Sequence, residues 1–340
     1  MSEAPRPIAE WRDVDARTFT EEIVTQYQPA VLRGLVGDWP AVARGRESPE
    51  AMRAYLDTFA SGATVDVLTL PAHEHGRIFY AADMNGFNFV RDRQSIKAVN
   101  DRLARYFKFE NRPGIAVQSA LIAECLPGFE RENRLAILDA SVQPRIWLGN
   151  AIVTPAHFDE SNNIACVVAG RRRFTLLPPE QIVNLYIGPL DYAPTGTPIS
   201  MVAFRNPDFA RFPRFREALA AAQVAELEPG DALYIPTLWW HHVESLEKYN
   251  ALVNYWWKGS PEAAARSDSA LAALVHCLLN LRHLPPEHRR AWRTIFDHYV
   301  FDPESDPASH IPAGKRGVLG RISPDMAKQI KAFLAKQLER

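Results

Sequence analysis

Cysteine is scarce in this chain of 340 residues: Cys125, Cys166 and Cys277 stand far apart and without C-x-x-C spacing. Such usage gives no basis for a disulfide framework and suits three small apolar core residues in a reducing compartment. No apolar run approaches the roughly 20 residues of a membrane-spanning helix. The opening MSEAPRPIAEW has none of the hydrophobic stretch of a signal peptide, so a cytoplasmic location is the expectation. Charge of one sign is not in excess either: 39 Lys and Arg against 40 Asp and Glu leave a net charge of -1. That balance argues against a general electrostatic grip on nucleic acid and leaves room only for a local basic groove. Repeats and low-complexity tracts are missing, and none of the ten histidines falls in the H-E-x-x-H of a zinc protease.

What is present is ample core material, 47% of the chain being hydrophobic, enough for one large domain or two ordinary ones. Residues 1–112 read as a mixed α/β segment, with helical character over 19–27, 49–59 (entered through Ser48) and 96–106, and short strands at 29–34 and 65–70. From 113 to 259 short strands dominate: 115–118, 145–153, 163–168, 174–177, 232–235 and 251–257, punctuated by Ala169-Gly170, Pro178-Pro179 and Glu228-Pro229-Gly230-Asp231. Many short strands between turns predict a sandwich or jelly roll. The insertion 181–226 breaks the rhythm, and long insertions of this kind border sites. From 260 to 340 helical spacing takes over: Leu271, Leu274, Val275 and Leu278, then Trp292, Ile295, Phe296 and Tyr299, then Ile330, Phe333, Leu334 and Leu338. A jelly roll already covers its own core. These stripes therefore need the barrel exterior or a second copy of the chain, and a homodimer through this tail is the expectation.

The chemistry is concentrated in two segments. Thr154-Pro155-Ala156-His157-Phe158-Asp159 is answered about eighty residues later by Trp239-Trp240-His241-His242-Val243. On a strand His157 and Asp159 share a face, because side chains alternate. A histidine from a distant strand then completes three ligands on one side of a metal, the arrangement of non-haem iron(II) oxygenases. An H-x-D tripeptide alone is also the product of chance in a surface turn. Here an apolar strand enters it, another leaves it, and a Gly-Asp turn with an apolar run precedes the second histidine. Alternation selects His241, which shares its side with Val243, whereas His242 and Glu244 point the other way, outward. His73-Glu74-His75 has ligand spacing but lies in a polar loop, and the histidines of the tail read as surface or packing residues.

TPAHFDESNN at 154–163, AGRRRFTLLPPEQ at 169–181, GDALYIPTLWWHHVESL at 230–246, NYWWKG at 254–259 and PAVLRGLVGDWPA at 29–41 together cover most of the chain. In this combination the sequence resembles the JmjC/cupin-like 2-oxoglutarate-dependent oxygenases, and among them the asparaginyl hydroxylases. The resemblance implies a mainly β fold with flanking helices around a double-stranded β-helix, bound Fe(II), 2-oxoglutarate as cosubstrate and O2 as co-reactant. It also implies hydroxylation of a protein or peptide side chain with release of succinate and CO2. His157, Asp159 and His241 match the metal ligands of the family. Thr154 matches a hydroxyl on the distal carboxylate of the cosubstrate, and Asn163 and Asn254 match amides near its metal-bound end. Arg172 stands where the family has a lysine, and arginine grips a carboxylate through two parallel hydrogen bonds. A family tyrosine on the distal carboxylate falls near Ile115 or Ala116, a second departure. Two other readings stay open: a cupin metalloenzyme that does not use 2-oxoglutarate, and a non-catalytic binding protein. Relatives of this general pattern act on protein side chains, methylated lysine, RNA or small molecules, and no motif here selects among them.

Overall fold

A computed structural model describes residues 5–259, 270–302 and 306–338. The chain divides into two units, Met1–Gly259 and Ser260–Arg340. The strands of the first are β1 (Arg6–Pro7), β2 (Ala9–Arg12), β3 (Ala30–Arg33), β4 (Thr64–Leu70), β5 (Val90–Ser95), β6 (Gly114–Leu121) and β7 (Pro144–Gly149). They continue with β8 (Val153–His157), β9 (Asn162–Ala169), β10 (Arg172–Leu177), β11 (Gln223–Leu227), β12 (Ala232–Ile235), β13 (Trp240–Ser245) and β14 (Asn250–Trp257).

From β7 onward the chain shuttles between two sheets. In one the order β12-β9-β14-β7 forms the centre of a nine-stranded sheet, and in the other β11-β10-β13-β8 forms most of a five-stranded sheet. These eight strands make the expected double-stranded β-helix. The N-terminal segment adds to both sheets: β1 pairs with β11, β2 and β3 extend one side of the larger sheet, and β6-β4-β5 extend the other. Strand β9 shows why the core holds. All eight of its residues are buried; Ile164, Cys166 and Val168 pack into the cluster under the helices, while Ala165 and Val167 face the space between the sheets. The helix Pro49–Phe59 is capped by Ser48, whose hydroxyl accepts from Ala51 N at 3.0 Å, and it buries Met52 and Leu56. Ser95 caps Ile96–Tyr106 in the same way, and Ile96, Val99 and Leu103 form its inner face.

The helix Pro40–Glu47 rests on β9 through Gly45, where an added Cβ would lie 1.8 Å from the Val168 carbonyl oxygen. Alanine is the better helix former by about 1 kcal/mol, but backbone must move to admit it, and overpacking of a tight core costs about 1–3 kcal/mol or more. The clash wins: Gly45→Ala lowers the midpoint of denaturant unfolding, and an unchanged or raised midpoint would show that the helix slides freely on the sheet.

Several elements differ from expectation. The run 145–153 is two strands, β7 and β8, broken where the Asn150 side chain accepts from Ile115 N at 3.0 Å and donates to Pro113 O at 2.9 Å. Residues 19–27 are helical as expected but not α-helical: a π-helical turn, Phe19–Ile23, runs into a 3-10 turn, Val24–Gln26, that closes with Tyr27 at φ 51. The far end of the 181–226 insertion is strand β11. Strand β5 leaves no trace in the sequence because its centre, Arg91-Asp92-Arg93-Gln94, carries no apolar alternation.

The second unit contains the helices Ala270–Leu281, Pro286–Phe296 and Pro324–Leu338. Leu278, Leu279, Trp292, Phe333 and Leu338 remain exposed on them. Among the described residues no helix is long and apolar enough to cross a membrane.

Candidate metal centre

A cavity of about 360 Å³ opens between the two sheets of the double-stranded β-helix. Thr154, His157, Arg172, Phe174, His241 and Val243 line it from the smaller sheet; Trp147, Asn163, Ala165, Leu252, Asn254 and Trp256 line it from the larger. Asp159, between β8 and β9, lines it as well. The seven residues proposed from the sequence as metal or cosubstrate contacts thus border one space.

His157 is the last residue of β8 and stands opposite His241 of β13 in the ladder, with ring centroids 4.1 Å apart. Asp159 does not share their strand, contrary to the expectation of a common strand face for His157 and Asp159. The ladder stops at His157, and beyond it the Asp159 carbonyl accepts from Leu238 N at 2.9 Å, which stitches the outgoing chain to the turn before β13. The three side chains nevertheless converge, with one potential ligand atom from each lying within 4.8 Å of the others. His241 Nε2 is 3.7 Å from Asp159 Oδ2. Among the described residues this is the only such cluster; the His73-Glu74-His75 segment forms a short turn apart from it.

Both imidazoles are oriented by their own backbones. His157 Nδ1 lies 2.9 Å from Pro155 O, and His241 Nδ1 lies 3.0 Å from Trp239 O. A ring nitrogen beside a carbonyl must carry the proton, so the Nε2 lone pair is left for a metal. Burial and the neighbouring His241 push the His157 pKa down to about 4 against the opposing pull of Asp159 and Pro155 O. The ring is therefore neutral at physiological pH, the form that binds metals. Two imidazoles and one carboxylate on one side of a point fit a divalent first-row metal such as Fe(II) with positions to spare.

The three consecutive arginines separate by face. Arg171 donates to Glu247 at 2.8 Å and Arg173 pairs with Glu226, both at the surface. Arg172 points inward, 9% exposed, with no partner for its Nε. Burial alone pulls its pKa down to about 10, and no carboxylate offsets the charge. Along β10 it lies four residues from Leu176, the residue opposite His241, which is roughly 13 Å at the usual rise of a strand. The cavity thus has a metal-ligating end and a cationic end.

The opposite wall contains a directed chain of hydrogen bonds. Trp147 Nε1 donates to Asn254 Oδ1 at 2.8 Å, and Asn254 Nδ2 donates to Asn163 Oδ1 at 3.2 Å. An indole N–H can only donate. It therefore fixes both amides with their oxygens toward Trp147 and leaves the Asn163 NH2 as a donor.

His242 and Glu244 do face away from the cavity, but not into solvent as expected: both are buried, at 3% and 6% exposure. The 178–222 insertion covers them, Phe204 stacking on His242 at 4.4 Å and Arg205 pairing with Glu244. Sequence reasoning also missed the mouth. A bulge between Val117 and Ala120, with Ser119 at φ 46, puts Gln118 and Ser119 on the cavity wall. They supply the polar groups there, since Ile115 and Ala116, at the position of the family tyrosine, are buried core residues. Asp66 and Arg91, paired at 3.6 Å, complete the rim with Thr195.

The sequence profile of the family described as "Cupin-like domain" matches residues 16–263. JmjC domain-containing protein D of Dictyostelium discoideum is 27% identical over 240 residues, 68% of this chain and 52% of that protein. The chain belongs to the JmjC-type cupin-like family of 2-oxoglutarate oxygenases. HSPB1-associated protein 1 of Bos taurus is 29% identical over 288 residues, 80% of this chain and 56% of the relative. Lysine-specific demethylase 8 of Xenopus tropicalis is 26% identical over 246 residues, 70% and 50% respectively. The chain spans about half the length of these relatives. The family match includes every segment of the metal centre and the PAVLRGLVGDWPA segment near the start.

Proposed function

We propose that this chain is an Fe(II)- and 2-oxoglutarate-dependent oxygenase that hydroxylates a protein or peptide side chain and releases succinate and CO2. The observation that carries the reading is Arg172: a buried guanidinium without a counter-ion, in the same cavity as the His157, Asp159 and His241 cluster. A buried unpaired charge is costly unless a ligand of opposite charge completes it. A molecule that chelates a metal at one end and carries a carboxylate at the other answers both ends of this cavity.

In this reading His157, Asp159 and His241 hold the metal. Arg172 and the Thr154 hydroxyl take the distal carboxylate, and the Asn163 and Asn254 amides donate near the metal-bound end. The iron with its cosubstrate and O2 supplies the oxidising chemistry, and the protein supplies positioning and a sheltered cavity. Phe174, Val243 and Leu252 keep its inner part apolar. A protein substrate is supported by the names of two relatives, a lysine-specific demethylase and a protein associated with HSPB1. A cupin enzyme that does not use 2-oxoglutarate leaves Arg172 unexplained, and a purely binding protein leaves the intact set of ligands unexplained. The enzyme is placed in the cytoplasm, on the cysteine usage. The test is anaerobic loading with Fe(II), then ascorbate, 2-oxoglutarate and air, with succinate followed by mass spectrometry. A cell lysate added to the same reaction should yield a peptide heavier by one oxygen. No succinate above a metal-only control would refute the proposal.

We further propose that the exposed apolar residues of the second unit serve homodimerisation. Light scattering at micromolar concentration should give about twice the 38.3 kDa chain mass; a monomeric mass would count against the dimer.

A further inference from the structure

Asp159 is the one potential ligand of the three that no strand holds. His157 and His241 are fixed by ladder positions and by carbonyls two residues back. Asp159 lies past the end of β8, with its side chain 20% exposed. Its carboxylate is held from the opposite sheet instead. Trp256 Nε1 donates to Asp159 Oδ2 at 3.0 Å, and this is the oxygen that lies 3.7 Å from His241 Nε2. Trp256 is itself restrained. Trp147 meets it edge to face at 6.0 Å and 87°, and the Arg145 guanidinium, anchored on Ser119 O, lies 5.9 Å from its ring.

We infer that Trp256 is a positioning residue of the metal centre, whose indole N–H sets the Asp159 carboxylate toward the imidazole pair before a metal arrives. The inference rests on the reading of His157, Asp159 and His241 as a metal site. The terminal torsion of an aspartate is broad, and a free carboxylate binds a cation through one oxygen or both. Binding through both would use a position that a cosubstrate or oxygen needs. A directed N–H on one oxygen removes that freedom. Being neutral, it does so without competing with the metal as a cation would. Hydrogen-bond partners behind metal ligands typically change metal affinity on the order of 10- to 100-fold when removed.

The test reads metal binding alone, by following free Mn(II) by electron paramagnetic resonance without cosubstrate or oxygen. Trp256→Phe removes the N–H together with one ring. A second variant carries 3-benzothienylalanine at position 256, which keeps the two-ring shape and exchanges only the N–H for sulfur. Both variants are expected to bind Mn(II) on the order of 10- to 100-fold more weakly than the wild type. With Co(II) in place of Mn(II), the visible spectrum is expected to shift as the carboxylate changes its mode of binding. A benzothienyl variant that binds Mn(II) as tightly as the wild type overturns the inference, whatever the phenylalanine variant does, because shape alone would then suffice. A wild-type protein that binds no Mn(II) overturns the underlying metal reading as well. The wild type thus decides one question and the sulfur variant the other.

Discussion

His157→Ala is expected to reduce succinate formation to the level of the metal in buffer while leaving the protein folded. With the imidazole gone, His241 and Asp159 alone remain of the cluster, and two donors neither hold a divalent metal firmly nor hold it on one side. The backbone loses little: β8 pairs with β13 through main-chain groups, and the carbonyl of Pro155, which faced Nδ1, is left beside a cavity that water can enter. The informative contrast is His242→Ala, one residue from His241 but on the other side of β13. That change removes a ring stacked on Phe204 beneath the insertion. It should lower the melting temperature, as loss of buried packing does, and leave Mn(II) affinity near the wild-type value. Succinate production by His157→Ala at the wild-type rate would remove this residue from the metal centre. Loss of Mn(II) binding in His242→Ala with the fold intact would mean that alternation was read in the wrong sense.

The reason His241 could be told from His242 in the sequence is local. Alternation on β13 separates His241 from His242 without knowledge of anything else in the fold, and the turn Glu228-Pro229-Gly230-Asp231 announces β12, the strand that leads into it. The same rule failed for Asp159, which lies past the end of β8 with its carbonyl bonded to Leu238 N in the turn before β13. The bulge of β6, which turns Gln118 and Ser119 toward the cavity, left no sign in the sequence either. Tertiary pairing of this kind leaves no periodic trace. The solvent exposure assigned to His242 and Glu244 was wrong for a related reason. Alternation says which face a residue takes, but not that residues 178–222 return to cover that face. The two tryptophans of the site are a harder case. Eight tryptophans in one chain look like core, and only coordinates distinguish Trp147 and Trp256, whose N–H groups orient polar partners in the cavity. The split of Arg171-Arg172-Arg173 shows the reverse. A basic run resembles a solvated hairpin face, yet strand alternation compels its middle member to point opposite to its neighbours, and Glu247 and Glu226 neutralise only the outer two.

Arg172→Leu is expected to separate function from stability more sharply than any other substitution in the cavity. Hydrogen bonds to charged groups contribute about 1.5–3 kcal/mol each, and a guanidinium offers a carboxylate two in parallel. Losing both weakens 2-oxoglutarate binding by roughly two orders of magnitude or more, at about 1.4 kcal/mol per factor of ten. Mn(II) affinity should be unchanged, because Arg172 lies four residues along β10 from the level of His241. The ligand-free protein should at the same time become more stable. In the native state the guanidinium is desolvated and unpaired, the sign of which is plain in its lowered pKa. A leucine joins the apolar lining of Phe174, Val243 and Leu252 in the same cavity and carries no charge to desolvate, a gain of about 1 kcal/mol or more. Arg172→Lys keeps the charge but shortens the reach and gives up the two-pronged geometry, so it should recover part of the cosubstrate affinity and none of the added stability. Calorimetric titration of 2-oxoglutarate into Mn(II)-loaded protein without oxygen, together with Mn(II) titration and thermal melting of the free protein, reads all three quantities. Wild-type cosubstrate affinity in Arg172→Leu would refute the role assigned to this side chain. A lower melting temperature for the free variant would show that the buried charge is compensated in solution by a group other than a ligand.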